Sequence, residues 1–209
     1  MASIYFVRHG ETAMNVGEEK IRGWADIPLD TNGLKQARDM AHCLNMLITG
    51  KTAQIYTGDL SRCHDTAKEI QHALKAPLLE MRELRPWNVG EYTGQPIKKV
   101  MKKLADYTRE SDKRVPGGES FIEFVMRFLN GMRLITHAAI VASPKPVVMV
   151  SHTRNARVLL AWIEGGLSNV IRQPSSEYLS AEKDPIEPGD YIKLEWKHGQ
   201  WIKEEEDNG

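Results

Sequence analysis

Two unbroken apolar runs, Ile4-Tyr5-Phe6-Val7 and Val147-Val148-Met149-Val150, constrain the fold of this chain most. Neither alternates apolar with polar side chains, so each reads as a short β-strand buried on both faces. Each also stops abruptly at a histidine: Arg8-His9-Gly10 follows the first, and Ser151-His152-Thr153 follows the second. Strand and helix patterns alternate between them. Leu34, Ala37, Ala41, Leu44 and Ile48 recur at helical spacing. Residues 54–57 read as a second strand, Ser61 as the N-cap of a helix to Leu74, and 77–80 as a third strand. A basic helical pattern over 97–114 ends at Pro116-Gly117-Gly118. Ser120 then caps a long helix containing Phe121, Phe124, Val125, Phe128 and Met132, and a further helix is expected over 155–164. Residues 191–202 read as a hairpin, and the acidic tail from Glu204 as frayed. The alternation predicts an α/β fold in three layers, α/β/α, with a mostly parallel central sheet.

The 209 residues suit one such domain. With no repeat and no linker, the chain reads as a single unit over 1–209, with about 95–120 as a candidate inserted lid. Basic and acidic residues balance at 28 each, which argues against nucleic-acid binding by bulk charge. Cys43 and Cys63 read as small buried side chains rather than a disulfide framework. No run reaches the roughly 20 apolar residues of a membrane span. The N-terminal residues lack a secretory pattern, so a cytoplasmic setting is expected. His42 and His72 have no metal-ligand spacing, and neither a metal nor a cofactor is expected. Oligomeric state is not legible.

In open α/β sheets, ligands bind beyond the carboxyl ends of the strands. If the two apolar runs are adjacent parallel strands, His9 and His152 share one crevice. A neutral imidazole is a nucleophile towards phosphorus. Arginine suits phosphoryl oxygens, because its planar fork donates several hydrogen bonds and stays charged. Arg8 and Arg62 are the candidates, and Arg62 opens a helix whose N–H groups also favour an anion. His152 is a further donor, most effective when protonated.

Five ordered motifs then resemble one family. They are Arg8-His9-Gly10-Glu11-Thr12 with Asn15; Gly23-Trp24-Ala25-Asp26-Ile27-Pro28-Leu29 with Gly33 and Gln36-Ala37; Asp59-Leu60-Ser61-Arg62 with Thr66-Ala67; the pair Gly90-Glu91-Tyr92-Thr93-Gly94 and Pro116-Gly117-Gly118-Glu119-Ser120; and Val148-Met149-Val150-Ser151-His152. Together they resemble the histidine phosphatase superfamily, in its phosphoglycerate-mutase-like branch. The resemblance implies that His9 is the phosphorylated nucleophile, that Arg8, Arg62 and His152 surround the phosphate, and that Asn15, Gly23 and Trp24 lie near the substrate. It implies a phosphatase acting on a small phosphorylated molecule or a phosphoprotein. The alternatives are a phosphomutase and a phosphate-binding module without catalysis.

One position departs from the family. Members that hydrolyse alkyl phosphates usually carry a glutamate four residues before the glycine matching Gly90, where this chain has Pro86. Glu83, three residues upstream, is the candidate acid, with Glu91, Glu119 and Glu11 as further options. Either a displaced carboxylate serves, or substrates with good leaving groups are favoured. Trp24 and Trp87 are candidate pocket walls, and Lys98 to Lys103 reads as a solvated helix face. Specificity is expected in 85–120 and in the loop from Gln173 to Pro188.

Overall fold

The computed structural model describes residues 2–142, 145–171 and 185–204. Most of the loop from Gln173 to Pro188, and the tail beyond Glu204, lie outside the described residues. Six strands form one sheet: β1 (Ser3–Arg8), β2 (Gln54–Thr57), β3 (Leu78–Glu80), β4 (Val147–Ser151), β5 (Tyr191–Lys197) and β6 (Gln200–Lys203), in the order β3-β2-β4-β1-β5-β6. The first four in that order run parallel. The expected hairpin, β5 with β6, joins antiparallel along β1. Ile4 pairs with Val147 and Arg8 with Ser151, so β1 and β4 end level with each other.

The unbroken apolar runs have a direct cause. Side chains of a strand alternate between faces. Ile4, Phe6, Val147 and Met149 enter one core, while Tyr5, Val7, Val148 and Val150 enter the other. The second core is closed by α1 (Thr31–Leu47) and α2 (Ser61–Leu74), through Leu44, Ala67 and Ile70 among others. The first is closed by α3 (Ile97–Arg109), α4 (Phe121–His137) and α5 (Thr153–Ile171). This is the three-layer architecture expected from the pattern.

Local chemistry sets the helix ends. Asp30 accepts from the Gly33 amide at 2.8 Å and starts α1 three residues before the first apolar position. Ser120 and Glu123 cap α4 reciprocally. The helix expected over 97–114 stops at Arg109, because Arg114 bridges to Ser120 and Val115 turns into the core. The helix expected over 155–164 continues to Ile171 past a break at Gly165 and Gly166, where Gly166 has φ +68°. Its Val170 is fully buried and holds the extra turn.

The turn after β1 needs two glycines. A Cβ on Gly33 would meet the Glu11 carbonyl oxygen, and one on Gly10 would meet the Gly33 carbonyl oxygen. Gly33→Ala is therefore expected to cost about 2–4 kcal/mol, read from urea unfolding, because backbone faces backbone there and cannot yield.

Candidate active site

The level ends of β1 and β4 deliver His9 and His152 to one place. Their rings meet edge to face with centroids 5.0 Å apart, and both are buried, at 2% and 4% exposure. The His9 amide continues the sheet by donating to the Ser151 carbonyl at 3.1 Å. His9 Nδ1 lies 2.7 Å from the Gly10 carbonyl oxygen. A carbonyl only accepts, so this contact is a hydrogen bond when Nδ1 carries the proton. Nε2 then carries the lone pair.

Electrostatics keep that lone pair available. Burial, then the charges of Arg62 and Arg22, hold the His9 imidazole well below its usual pKa. The same causes, with His9 itself, lower His152. Both rings are therefore neutral near pH 7, whereas His152 was expected to act best as a cation. An arriving phosphate dianion opposes the lowering by its charge. In the free enzyme, kcat/KM is expected to hold as pH falls through 6.5 and to decline only well below it. A pH–rate profile checks this; an acid limb centred at 6.5 would show that His9 is not shielded in this way.

Arg62 lies in the first turn of α2 and is 1% exposed. Its Nη1 donates to the Ala25 carbonyl at 2.8 Å and its Nη2 to the Gly23 carbonyl at 3.1 Å. Its buried Nε has no hydrogen-bond partner in the protein, as a donor meant for an incoming anion would. Arg8 is 3% exposed and donates from Nη1 to the Ile186 carbonyl at 2.8 Å. Asn15 Oδ1 accepts from the Thr12 amide and hydroxyl, both at 3.0 Å, and so shapes the loop after His9. Gly23 has φ +48°, and Thr93 and Val89 crowd its missing Cβ.

Trp24 closes one wall. Its Nε1 donates to the Pro86 carbonyl at 2.8 Å, and the guanidiniums of Arg82, Arg85 and Arg127 lie 5.2, 4.8 and 5.5 Å from its ring centroid. Trp87 is buried in the core instead, edge to face on Phe121. Arg127 of α4 holds the Pro86 segment by its backbone. Nη1 donates to the carbonyls of Arg82, Glu83 and Arg85 at 3.3, 2.9 and 3.0 Å, and Nη2 to that of Pro86 at 3.1 Å.

The candidate acids are dispersed. The Cβ and Cγ of Glu83 lie against Gly131 of α4. Glu119 pairs with Arg127 at 2.6 Å and accepts from the Asn88 amide. Glu11 accepts from Asn32, and Glu91 is exposed. Asp59 binds Arg85 through both oxygens at 2.7 and 2.8 Å; burial alone would raise its carboxyl, but the paired guanidinium outweighs it and holds it below the ordinary range.

The structure brings His9 and His152 together with the charge of Arg62 weighing on both, and adds three neighbours that the motifs do not name. Cys63 Sγ lies 3.4 Å from His152 Nε2, and burial pushes this thiol up to about 12, so it stays a thiol. Arg22 weighs on both histidines and places Nη1 3.5 Å from Thr12 Oγ1. Its position directly before Gly23-Trp24 was the available signal. Arg127 had one too: a charge set between the core residues Phe124 and Phe128. Among the described residues no group of three or more His, Cys, Asp or Glu could hold a metal, and no helix is long and apolar enough to cross a membrane.

A strand-end histidine pair under the charge of a buried arginine is a lining suited to an anionic group. Residues 4–203 match the family described as histidine phosphatase superfamily (branch 1), and the chain belongs to it. It is 30% identical over 172 residues to the Bacillus subtilis protein named uncharacterized phosphatase PhoE, covering 79% of each chain. It is 29% identical over 216 residues to the probable phosphoglycerate mutase GpmB of Yersinia pestis, covering 98% of this chain and 92% of that one. Among solved structures, a mycobacterial glucosyl-3-phosphoglycerate phosphatase superposes with TM-score 0.76 at 20% identity, covering 98% of both chains. A putative α-ribazole-5'-P phosphatase from Escherichia coli superposes with TM-score 0.73 at 17% identity, covering 98% of this chain and 96% of that one. The chain is thus an enzyme of the phosphatase class.

Proposed function

We propose that this enzyme hydrolyses small phosphorylated molecules through a phosphohistidine on Nε2 of His9. The observation that carries the reading is the 2.7 Å contact from His9 Nδ1 to the Gly10 carbonyl, which leaves Nε2 as the nucleophile. In the first step Nε2 attacks phosphorus, and the bond from phosphorus to the leaving oxygen breaks. The ring becomes a cation, and its proton stays on Nδ1, donated to the Gly10 carbonyl. Arg62, Arg8 and His152 donate to the equatorial oxygens, which carry the spreading negative charge. In the second step water attacks, the P–N bond breaks, and the electron pair returns to Nε2. The proton of the water leaves on the product phosphate. Two unpaired thiols, Cys43 and Cys63, suit a reducing, cytoplasmic compartment. Relatives named for small phosphorylated substrates support the small-molecule choice over a phosphoprotein.

The scheme assigns no step to Glu83, whose Cβ and Cγ lie against Gly131 of α4. The test is rapid quenching with 32P-labelled p-nitrophenyl phosphate. Acid-labile, base-stable label of up to one phosphate per chain is the expected result. Steady turnover with no such label would mean that water attacks the substrate directly.

A further inference from the structure

The phosphohistidine reading explains how phosphorus is attacked; the wall that Trp24 forms with the Pro86 segment bears on what departs. Resting on that reading, we infer that the enzyme's substrates are phosphoanhydrides, with Arg22 binding the departing phosphate, which leaves without taking a proton.

Three features of that wall point the same way. The first is what stands at the expected acid position. Pro86 has no side-chain proton to give, and its carbonyl is already taken by Trp24 Nε1 at 2.8 Å and Arg127 Nη2 at 3.1 Å. The second is the fate of the carboxylates. Glu119 is committed to Arg127 and the Asn88 amide, Asp59 to Arg85, Asp26 to the amide and hydroxyl of Ser61, and Glu83 stacks its stem on Gly131. Asp59 is a poor proton donor, because the Arg85 guanidinium stabilises its charged form. The third is the sign of the wall. Arg22, two residues before Trp24, reaches Thr12 Oγ1 of the His9 loop at 3.5 Å, and its charge weighs on both histidines. Arg82 and Arg85 face the same tryptophan ring.

The chemistry follows from this lining. An alkoxide leaving group is a strong base and gains about 10²–10⁴-fold from a positioned acid. A departing phosphate is a far weaker base than an alkoxide, so it leaves as an anion. What it needs is positive charge on its oxygens, which guanidinium donors supply. The bond that breaks joins phosphorus to the bridging oxygen, and its electron pair stays on that oxygen. His9 receives the terminal phosphoryl group, and no proton is required until water arrives.

The test compares inorganic pyrophosphate, p-nitrophenyl phosphate and glycerol 3-phosphate on the intact chain and on Arg22→Gln and Arg22→Lys, with the quench label on His9 measured in parallel. In the wild type, kcat/KM is expected to be at least about 100-fold higher for pyrophosphate than for glycerol 3-phosphate. In Arg22→Gln, the ratio of kcat/KM for pyrophosphate to that for p-nitrophenyl phosphate is expected to fall about tenfold or more, and Arg22→Lys to recover part of it. A protein that labels on His9 yet hydrolyses glycerol 3-phosphate as fast as pyrophosphate overturns the anhydride inference alone. So does an Arg22→Gln protein in which both rates fall equally, since Arg22 would then serve the transferred group. Absence of label with p-nitrophenyl phosphate overturns the phosphohistidine reading, and this inference with it.

Discussion

His9→Ala is expected to lower turnover of p-nitrophenyl phosphate by about 10⁴-fold or more and to abolish the acid-labile label. Nothing beside it can substitute. His152 is the nearest imidazole, but it meets His9 edge to face and packs on the Cys63 thiol. The variant should still fold, at a cost of about 1–3 kcal/mol, because the buried Gly10 carbonyl loses its donor. That cost has a defined pH dependence. Burial and the arginines depress the folded-state pKa of His9, so the unfolded chain binds the extra proton first. The stability that His9 contributes is present above about pH 6.5 and is lost as pH falls toward the depressed value. The gap in unfolding free energy between wild type and His9→Ala should therefore narrow between about pH 7 and pH 5. A gap that is constant across this range would mean that His9 is not buried in neutral form.

Arg62→Ala is the second large effect, and it acts on structure and chemistry together. Two carbonyls, those of Gly23 and Ala25, lose a charged donor, which is expected to cost about 3 kcal/mol. The phosphoryl group loses a preorganised donor, with a fall of about 10²–10³-fold in kcat. A purely structural role would stop there. Arg62 is also the nearby charge that weighs most on His9. Its removal should move the acid limb of kcat/KM to higher pH, because less positive charge then opposes protonation. Arg62→Lys should restore much of that limb while recovering little of kcat, since an ammonium supplies charge without the fork. An acid limb unmoved in Arg62→Ala would show that burial alone keeps His9 neutral.

The sheet was legible because β1 and β4 feed both cores at once, and only a strand buried on both faces reads as an unbroken apolar run. The helix ends were less legible where tertiary contacts set them. Val115 leaves the helical pattern to reach the core, and Val170 extends α5 beyond two glycines. In the site, His9 and His152, named by motif, lie ring to ring, and the charge of Arg62 acts on both. Arg22 and Arg127 escaped for different reasons. An arginine in a loop reads as a solvated charge, and one on a helix reads as part of its wet face. Neither reading allows for a guanidinium whose partners are carbonyls distant in sequence, as the four acceptors of Arg127 are. Glu83 illustrates the converse: proximity in sequence to the expected acid position did not bring its stem off α4.

The grip of Arg127 on the carbonyls of residues 82–86 separates the shape of that wall from its side chains. A backbone held by its own oxygens keeps its path when the residues on it are exchanged. The wall that this segment forms with Trp24 is in that sense an interchangeable panel. Substitutions at Arg82 or Arg85 would exchange the charges over Trp24 while Arg127 keeps the backbone path of the segment in place.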